Sequence, residues 1–179
     1  MEFWERGVTM ARGKTTDLAA ASGATAAWQT GSRLAALHEA WPFVHYGELA
    51  EAYERGNPTQ VQWELLRRPG GPIDPDLIET AYAQSALRML FPFSSHSSLN
   101  LSRCTRFPYS ADLPVIYPLA DRRFTIFWAS GSPYGTGHIA EADTAADAVA
   151  VVVARLPAGC GPAIDGTAEG LDELCSDST

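Results

Sequence analysis

The sequence predicts an α+β protein in which a mostly helical half precedes a small antiparallel β-meander with a C-terminal helix. Apolar residues recur every three to four positions over residues 17–92 and at every second position after residue 97, a change from helical to strand spacing. The connections in the second half are too short for parallel strands, which need long crossovers. With 179 residues, the chain is long enough to bury a substantial core in one domain.

The predicted domain covers residues 17–175 and is flanked by two short terminal segments. Residues 1–16 show no sustained apolar period, so we expect a flexible leader, and Met10 offers a second possible start. Residues 176–179 are polar and are expected to fray. Within the domain, residues 17–92 are mostly helical and residues 97–175 form a sheet plus a helix.

Caps and prolines place the helices of the first half. Asn57-Pro58 and Asp74-Pro75 each combine a capping side chain with proline at the first helical position. Pro92 is expected to end the helical half because proline lacks the N–H that a helix interior needs. The predicted helices cover 17–28, 33–40, 47–55, 58–68, a stretch beginning at 75 and a short continuation from 85 to 90.

Alternation places the strands of the second half. Leu99 and Leu101 face one way while Asn100, Ser102 and Cys104 face the other. Further strands are expected at 113–119, 123–129 and 138–140, followed by a helix over 144–155. The aromatic residues of the third predicted strand, which ends with Trp128, can fill the core against that helix or form the floor of a hydrophobic pocket.

Composition excludes several classes of function. A net charge of −8 argues against a protein that binds nucleic acid, which needs clustered cations. Lys14 is the only lysine, so no Schiff-base or phosphate-loop lysine is available in the predicted domain. The three cysteines are too widely spaced for a metal site or a disulfide framework. We therefore expect no metal, no cofactor and no membrane segment, in a cytoplasmic protein.

The segment joining the two halves carries the candidate site. If Cys104 pairs near Leu113, antiparallel pairing brings His96 towards Asp121, and a carboxylate there would orient the imidazole as an acid or base. These two residues are the candidate catalytic pair. The candidate substrate-binding residues around them are Ser94, Ser95, Arg103 and Arg123. The alternative is that residues 94–98 only cap a helix and begin the sheet.

A second pairing, of Cys104 as a nucleophile with His96, is disfavoured. With residues 98–104 extended at about 3.3 Å each, the two ends of the strand lie about 20 Å apart, which is too far for the short serine turn to close. A lone cysteine at a strand end is more often a small packing residue.

Four segments, in chain order, carry a resemblance: Ala81–Pro92, Ser95–Cys104, Leu113–Leu119 and Ala154–Ala163. Through them, roughly the last 120 residues resemble an uncharacterised actinobacterial family associated with natural-product biosynthesis. Arginine-rich, alanine-rich composition agrees with a GC-rich source. The resemblance implies a place in specialised metabolism and assigns no catalytic residues.

Two functions follow from these observations. The first is an accessory or tailoring protein that handles a small-molecule, carrier-bound or peptide intermediate in a cleft at the helix and sheet junction. The second is a non-catalytic interaction protein that stabilises or positions a partner biosynthetic enzyme. An exposed apolar patch near Trp41-Pro42-Phe43 or Phe91-Pro92-Phe93 would favour the second.

Overall fold

The computed structural model describes residues 1–5 and 7–171, and the chain divides into two compact units, Met1–Val61 and the part from Gln62 onward. The fold is α+β with antiparallel sheets, which confirms the predicted class. Within the described residues, no helix is both long and apolar enough to cross a membrane. The expected frayed tail, residues 176–179, lies outside the described residues.

The first unit combines a three-stranded antiparallel sheet with three helices. Asp17 caps the first helix by accepting hydrogen bonds from the backbone N–H groups of Ala19 (2.9 Å) and Ala20 (3.1 Å). Gly56 ends the third helix in the left-handed conformation, with φ 79°. The elements are β1 (Glu2–Glu5), β2 (Val8–Gly13), α1 (Leu18–Gln29), α2 (Leu34–Ala40), β3 (Val44–His45) and α3 (Glu48–Arg55).

The prediction of a flexible leader was wrong for most of residues 1–16. Strands β1 and β2 form an antiparallel hairpin whose Phe3, Val8 and Met10 are buried. The ring of Phe3 packs on Trp28 with centroids 5.5 Å apart. A register irregularity between Phe3 and Trp4 interrupts the alternation, which explains why a search for a regular period misses these strands.

The second unit contains a five-stranded sheet and the helices around it. Helix α4 (Pro58–Leu66) spans the boundary between the units. Asp74 caps the next helix through bonds to the backbone N–H groups of Asp76 and Leu77, as the sequence predicted. The other elements are α5 (Pro75–Ala83), α6 (Ser85–Arg88), β4 (Phe91–Ser95), β5 (Ser98–Ser102), β6 (Val115–Pro118), β7 (Phe124–Trp128), β8 (Gly137–Ala142) and α7 (Ala145–Val153).

The five strands pair in chain order and are antiparallel throughout, which confirms the predicted meander. Strand β4 was not predicted, because Pro92 was interpreted only as the end of the helical half. In the structure Pro92 lies in an edge strand, where a missing N–H is tolerated.

One face of the sheet supplies the core. Leu99, Ile116 and Ile126 are buried from three adjacent strands and belong to the same apolar cluster as Val149 of α7. Trp128 is only half-buried, and its ring lies 4.7 Å from that of Tyr134. The alternation in β7 therefore assigns Phe124 and Ile126 correctly but not Trp128, which follows a register shift in the pairing of β7 with β8 after Ile126.

Candidate functional site

The β4–β5 hairpin turns through two residues with positive φ, His96 (51°) and Ser97 (67°), between the paired residues Ser95 and Ser98. Two consecutive positive φ angles are typical of a type I′ turn, where Asn-Gly is preferred. A residue with a Cβ in this region costs about 1–2 kcal/mol. The turn therefore presents an exposed imidazole at a position where the backbone alone would favour other residues.

Polar side chains at this hairpin form a short hydrogen-bonded relay. Asn100 Nδ2 donates to Ser98 Oγ (2.8 Å), and Ser98 Oγ donates to the backbone oxygen of Ser95. Ser95 Oγ lies 3.1 Å from His96 Nδ1. Because Ser98 is buried, the relay fixes the orientation of the half-buried Asn100 amide.

These four side chains line one side of a groove of about 490 Å³ on the outer face of the sheet. Its apolar side consists of Val115 and Tyr117 of β6 together with Phe127 and Ala129. Asn100 alternates with the core residues Leu99 and Leu101, so the groove and the core occupy opposite faces. Its volume falls within the range of about 300–1,000 Å³ that small-molecule sites occupy.

The predicted pairing of His96 with Asp121 is not what the structure shows. Leu99 pairs with Ile116, which differs by two residues from the register that would bring Cys104 near Leu113. Asp121 instead accepts hydrogen bonds from Arg123, through Nε at 2.7 Å and the backbone N–H at 3.2 Å. The hydrogen bonds from Arg123 lower the pKa of Asp121. The group that contacts the His96 imidazole is therefore Ser95.

The remaining predicted binding residues separate into one that lines the groove and three that do not. Ser95 lines it, whereas Ser94 pairs with the core residue Leu99 on the other face of the sheet. A second ion pair of Arg123 joins it to Glu141 at 2.6 Å. Arg103 binds Asp112 at 2.8 Å, with both side chains about four-fifths buried. These two arginines are held by carboxylates of the same unit.

Cys104 is fully buried, in agreement with the packing role expected for it. Its thiol lies 3.3 Å from Ser102 Oγ, and burial raises its pKa. A buried thiol with a raised pKa is a poor nucleophile.

Two other concavities of similar size occur in the second unit, and several of their polar residues have structural roles. In one, Asp74 and Thr144 are the caps of α5 and α7. In the other, Arg67 makes a two-bond ion pair with Glu79, each bond 2.7 Å long. Among the residues that the structure describes, no three His, Cys, Asp or Glu side chains converge to hold a metal ion.

Sequence reasoning missed Asn100, Tyr117 and Phe127 as groove residues. The signal was present, because the alternation in 98–104 assigns Asn100 to the face opposite Leu99 and Leu101. A shift of register by two residues keeps every side chain on its face, so the predicted and observed pairings agree on the faces. They differ in which side chains become neighbours.

The turn gives a direct stability prediction. Replacing His96-Ser97 by Asn-Gly is expected to raise the free energy of unfolding by about 1 kcal/mol, because these residues adopt positive φ at lower cost. Urea unfolding followed by circular dichroism measures the change, with Ser94→Gly as a control at a strand position that has no positive φ. A decrease in stability would show that the side chains of His96 and Ser97 stabilise the turn.

The comparisons with known proteins bear on the second unit most of all. No curated protein and no solved structure matches the chain. The profile of one protein family matches residues 58–167, which is more than half of the chain and includes every residue of the groove. The chain therefore belongs to the family of unknown function DUF6193.

Proposed function

We propose that this protein binds a small-molecule, carrier-bound or peptide intermediate of bacterial natural-product biosynthesis in the groove on the outer face of its sheet, in the cytoplasm. The observation that carries the binding role is the groove itself, where the hydrogen-bonded relay faces an aromatic side. Sites for small molecules combine an apolar lining with a few positioned polar groups in this way. The biosynthetic setting rests on the resemblance of the four segments to the actinobacterial family.

His96 is a residue of the groove that can both bind a ligand and move a proton. Ser95 Oγ engages Nδ1, so Nε2 is the ring nitrogen that can reach a ligand. The expected carboxylate partner, Asp121, bonds to Arg123 instead. A serine hydroxyl stabilises an imidazolium less than a carboxylate does, so the geometry favours ligand binding over strong acid–base catalysis.

The test is affinity purification of the tagged chain from the native producer, with mass spectrometry of co-purifying small molecules and proteins. A metabolite enriched with the wild-type chain and at least ten-fold less with His96→Ala is the expected result. Ser97→Ala is the matched control, because Ser97 is exposed in the same turn and is not part of the groove. Equal enrichment by wild type and His96→Ala would overturn the assignment of the groove.

The alternative function is a non-catalytic protein that positions a partner enzyme, and the first unit offers one observation in its favour. Trp4 and Leu18 expose 58% and 85% of their surface. The patches suggested from the sequence are less available, because Phe91 is buried and Trp41 and Phe43 are half-buried. This alternative would be supported if the wild-type chain co-purifies with a stoichiometric protein partner and no metabolite, and if Trp4→Ser no longer co-purifies with that partner.

A further inference from the structure

The lining of the groove contains no aspartate, glutamate, lysine or arginine. Its polar groups are two serine hydroxyls, one amide, one phenol and one imidazole. Asp121 precedes β7 and Glu141 lies in β8, and both carboxylates bind Arg123. An anionic ligand entering this groove would lose hydration without gaining an arginine or lysine partner from the lining, and a cationic ligand would lose hydration without gaining a carboxylate, which is costly.

The relay presents an amide in a fixed orientation. Asn100 Nδ2 uses one N–H on Ser98 Oγ, whose own hydrogen is donated to Ser95 O. Asn100 therefore retains an acceptor, Oδ1, and a second N–H donor for a ligand. One acceptor beside one donor is the pattern that a carboxamide or a peptide group complements.

The opposite side of the groove suits a planar apolar group. Phe127 pairs with Val115 across β6 and β7, so Phe127 and Tyr117 are diagonal neighbours on the same face. Tyr117 leaves 39% of its surface exposed, and Phe127 is half-buried. Partly exposed aromatic side chains at this spacing can contact the flat face of an aryl ring.

Building on the proposed function, we propose that the ligand is an uncharged aryl carboxamide or an aromatic peptide unit, with its amide bound by Asn100 and its ring against Tyr117 and Phe127. His96 at the open end then contacts the part of the ligand beyond the amide. The groove should therefore bind an uncharged ligand more tightly than charged ligands of similar shape.

Three naphthalene probes test the assignment on the full chain: naphthalene-2-carboxamide, naphthalene-2-carboxylate and naphthalen-2-ylmethylamine. Their rings are the same, and at neutral pH their polar groups are neutral, anionic and cationic. Titrations are followed by amide chemical shifts in two-dimensional NMR spectra. We expect the carboxamide to bind at least about ten-fold more tightly than either charged probe, because a site built for hydrogen bonding discriminates strongly against a mismatched group.

Two variants separate the contributions of the amide and the ring. Asn100→Leu should remove the preference for the carboxamide while all three probes retain weak binding, and Tyr117→Ser should weaken all three by a similar factor. Tyr117 is the safer site, because it is exposed and takes no part in the buried relay. A preference that survives Asn100→Leu would contradict the role of Asn100.

The outcomes also distinguish this inference from the proposed function. If the carboxylate or the amine binds in the groove as tightly as the carboxamide or more tightly, the ligand class would be overturned while the groove would remain a binding site. If all three probes shift only amides outside the groove, or shift none at millimolar concentration, both the ligand class and the groove as a binding site would be overturned.

Discussion

Replacing Trp63 with alanine is expected to lower the free energy of unfolding by about 3–5 kcal/mol. Trp63 is fully buried, its ring lies 5.6 Å from that of Tyr82, and its Nε1 donates to the backbone oxygen of Leu90 at 3.0 Å. The substitution leaves a cavity and a buried carbonyl without its donor, and both effects are unfavourable. Urea unfolding followed by circular dichroism measures the loss.

Trp63→Phe is the matched control, because it keeps most of the side-chain volume and removes the hydrogen bond to Leu90. The expected loss is about 1–3 kcal/mol, the usual cost of leaving a buried polar group unsatisfied together with a small loss of packing. If Trp63→Ala costs no more than Trp63→Phe, the packing assigned to this side chain is incorrect. Leu90 directly precedes β4. A larger loss for Trp63→Ala than for Trp63→Phe would therefore also show that α4 packs beside the start of the strand that leads to the groove.

Replacing Phe3 with alanine is expected to destabilise the first unit by about 3–5 kcal/mol, because the side chain is buried against Trp28. The neighbouring Trp4 supplies the control, since 58% of its surface is exposed. Trp4→Ala should change stability by no more than about 0.5 kcal/mol. Unfolding is followed by circular dichroism, because both substitutions alter the tryptophan environment.

The opposite order of effects, with Trp4→Ala more costly than Phe3→Ala, would mean that β1 is shifted by one residue. A one-residue shift exchanges the two faces of a strand. If neither Phe3→Ala nor Trp4→Ala changes the free energy of unfolding, the expectation of a flexible leader is restored. The pair of variants therefore tests the main correction that the structure makes to the sequence analysis.

The helices were predictable because their signals are local. Asp74 and Asn57 each precede a proline, and the helices α5 and α4 begin at Pro75 and Pro58. Alternation gave β5 and β7 in the same way, since a face of Leu99 and Leu101 or of Phe124 and Ile126 must be buried together. These features depend only on residues close together in the chain.

The features that were missed depend on distant residues. Strand β1 has a register irregularity that hides its alternation, and Pro92 indicates equally a helix end or an edge strand. The partner of His96 depended on the register between β5 and β6, which a 12-residue connection does not determine. The ion pair of Arg123 with Glu141 was not predictable for the same reason, because it requires β8 to lie beside β7.

The central claim is that the groove beside His96 is where the ligand binds, and NMR of the labelled chain with a small-molecule extract of the native producer tests it most directly. The amides of Ser95, Asn100, Tyr117 and Phe127 should shift with the wild-type chain, and His96→Ala should need at least ten-fold more extract to give the same shifts. Shifts centred instead on the concavity beside Arg67 and Glu79, and unchanged in His96→Ala, would contradict the account.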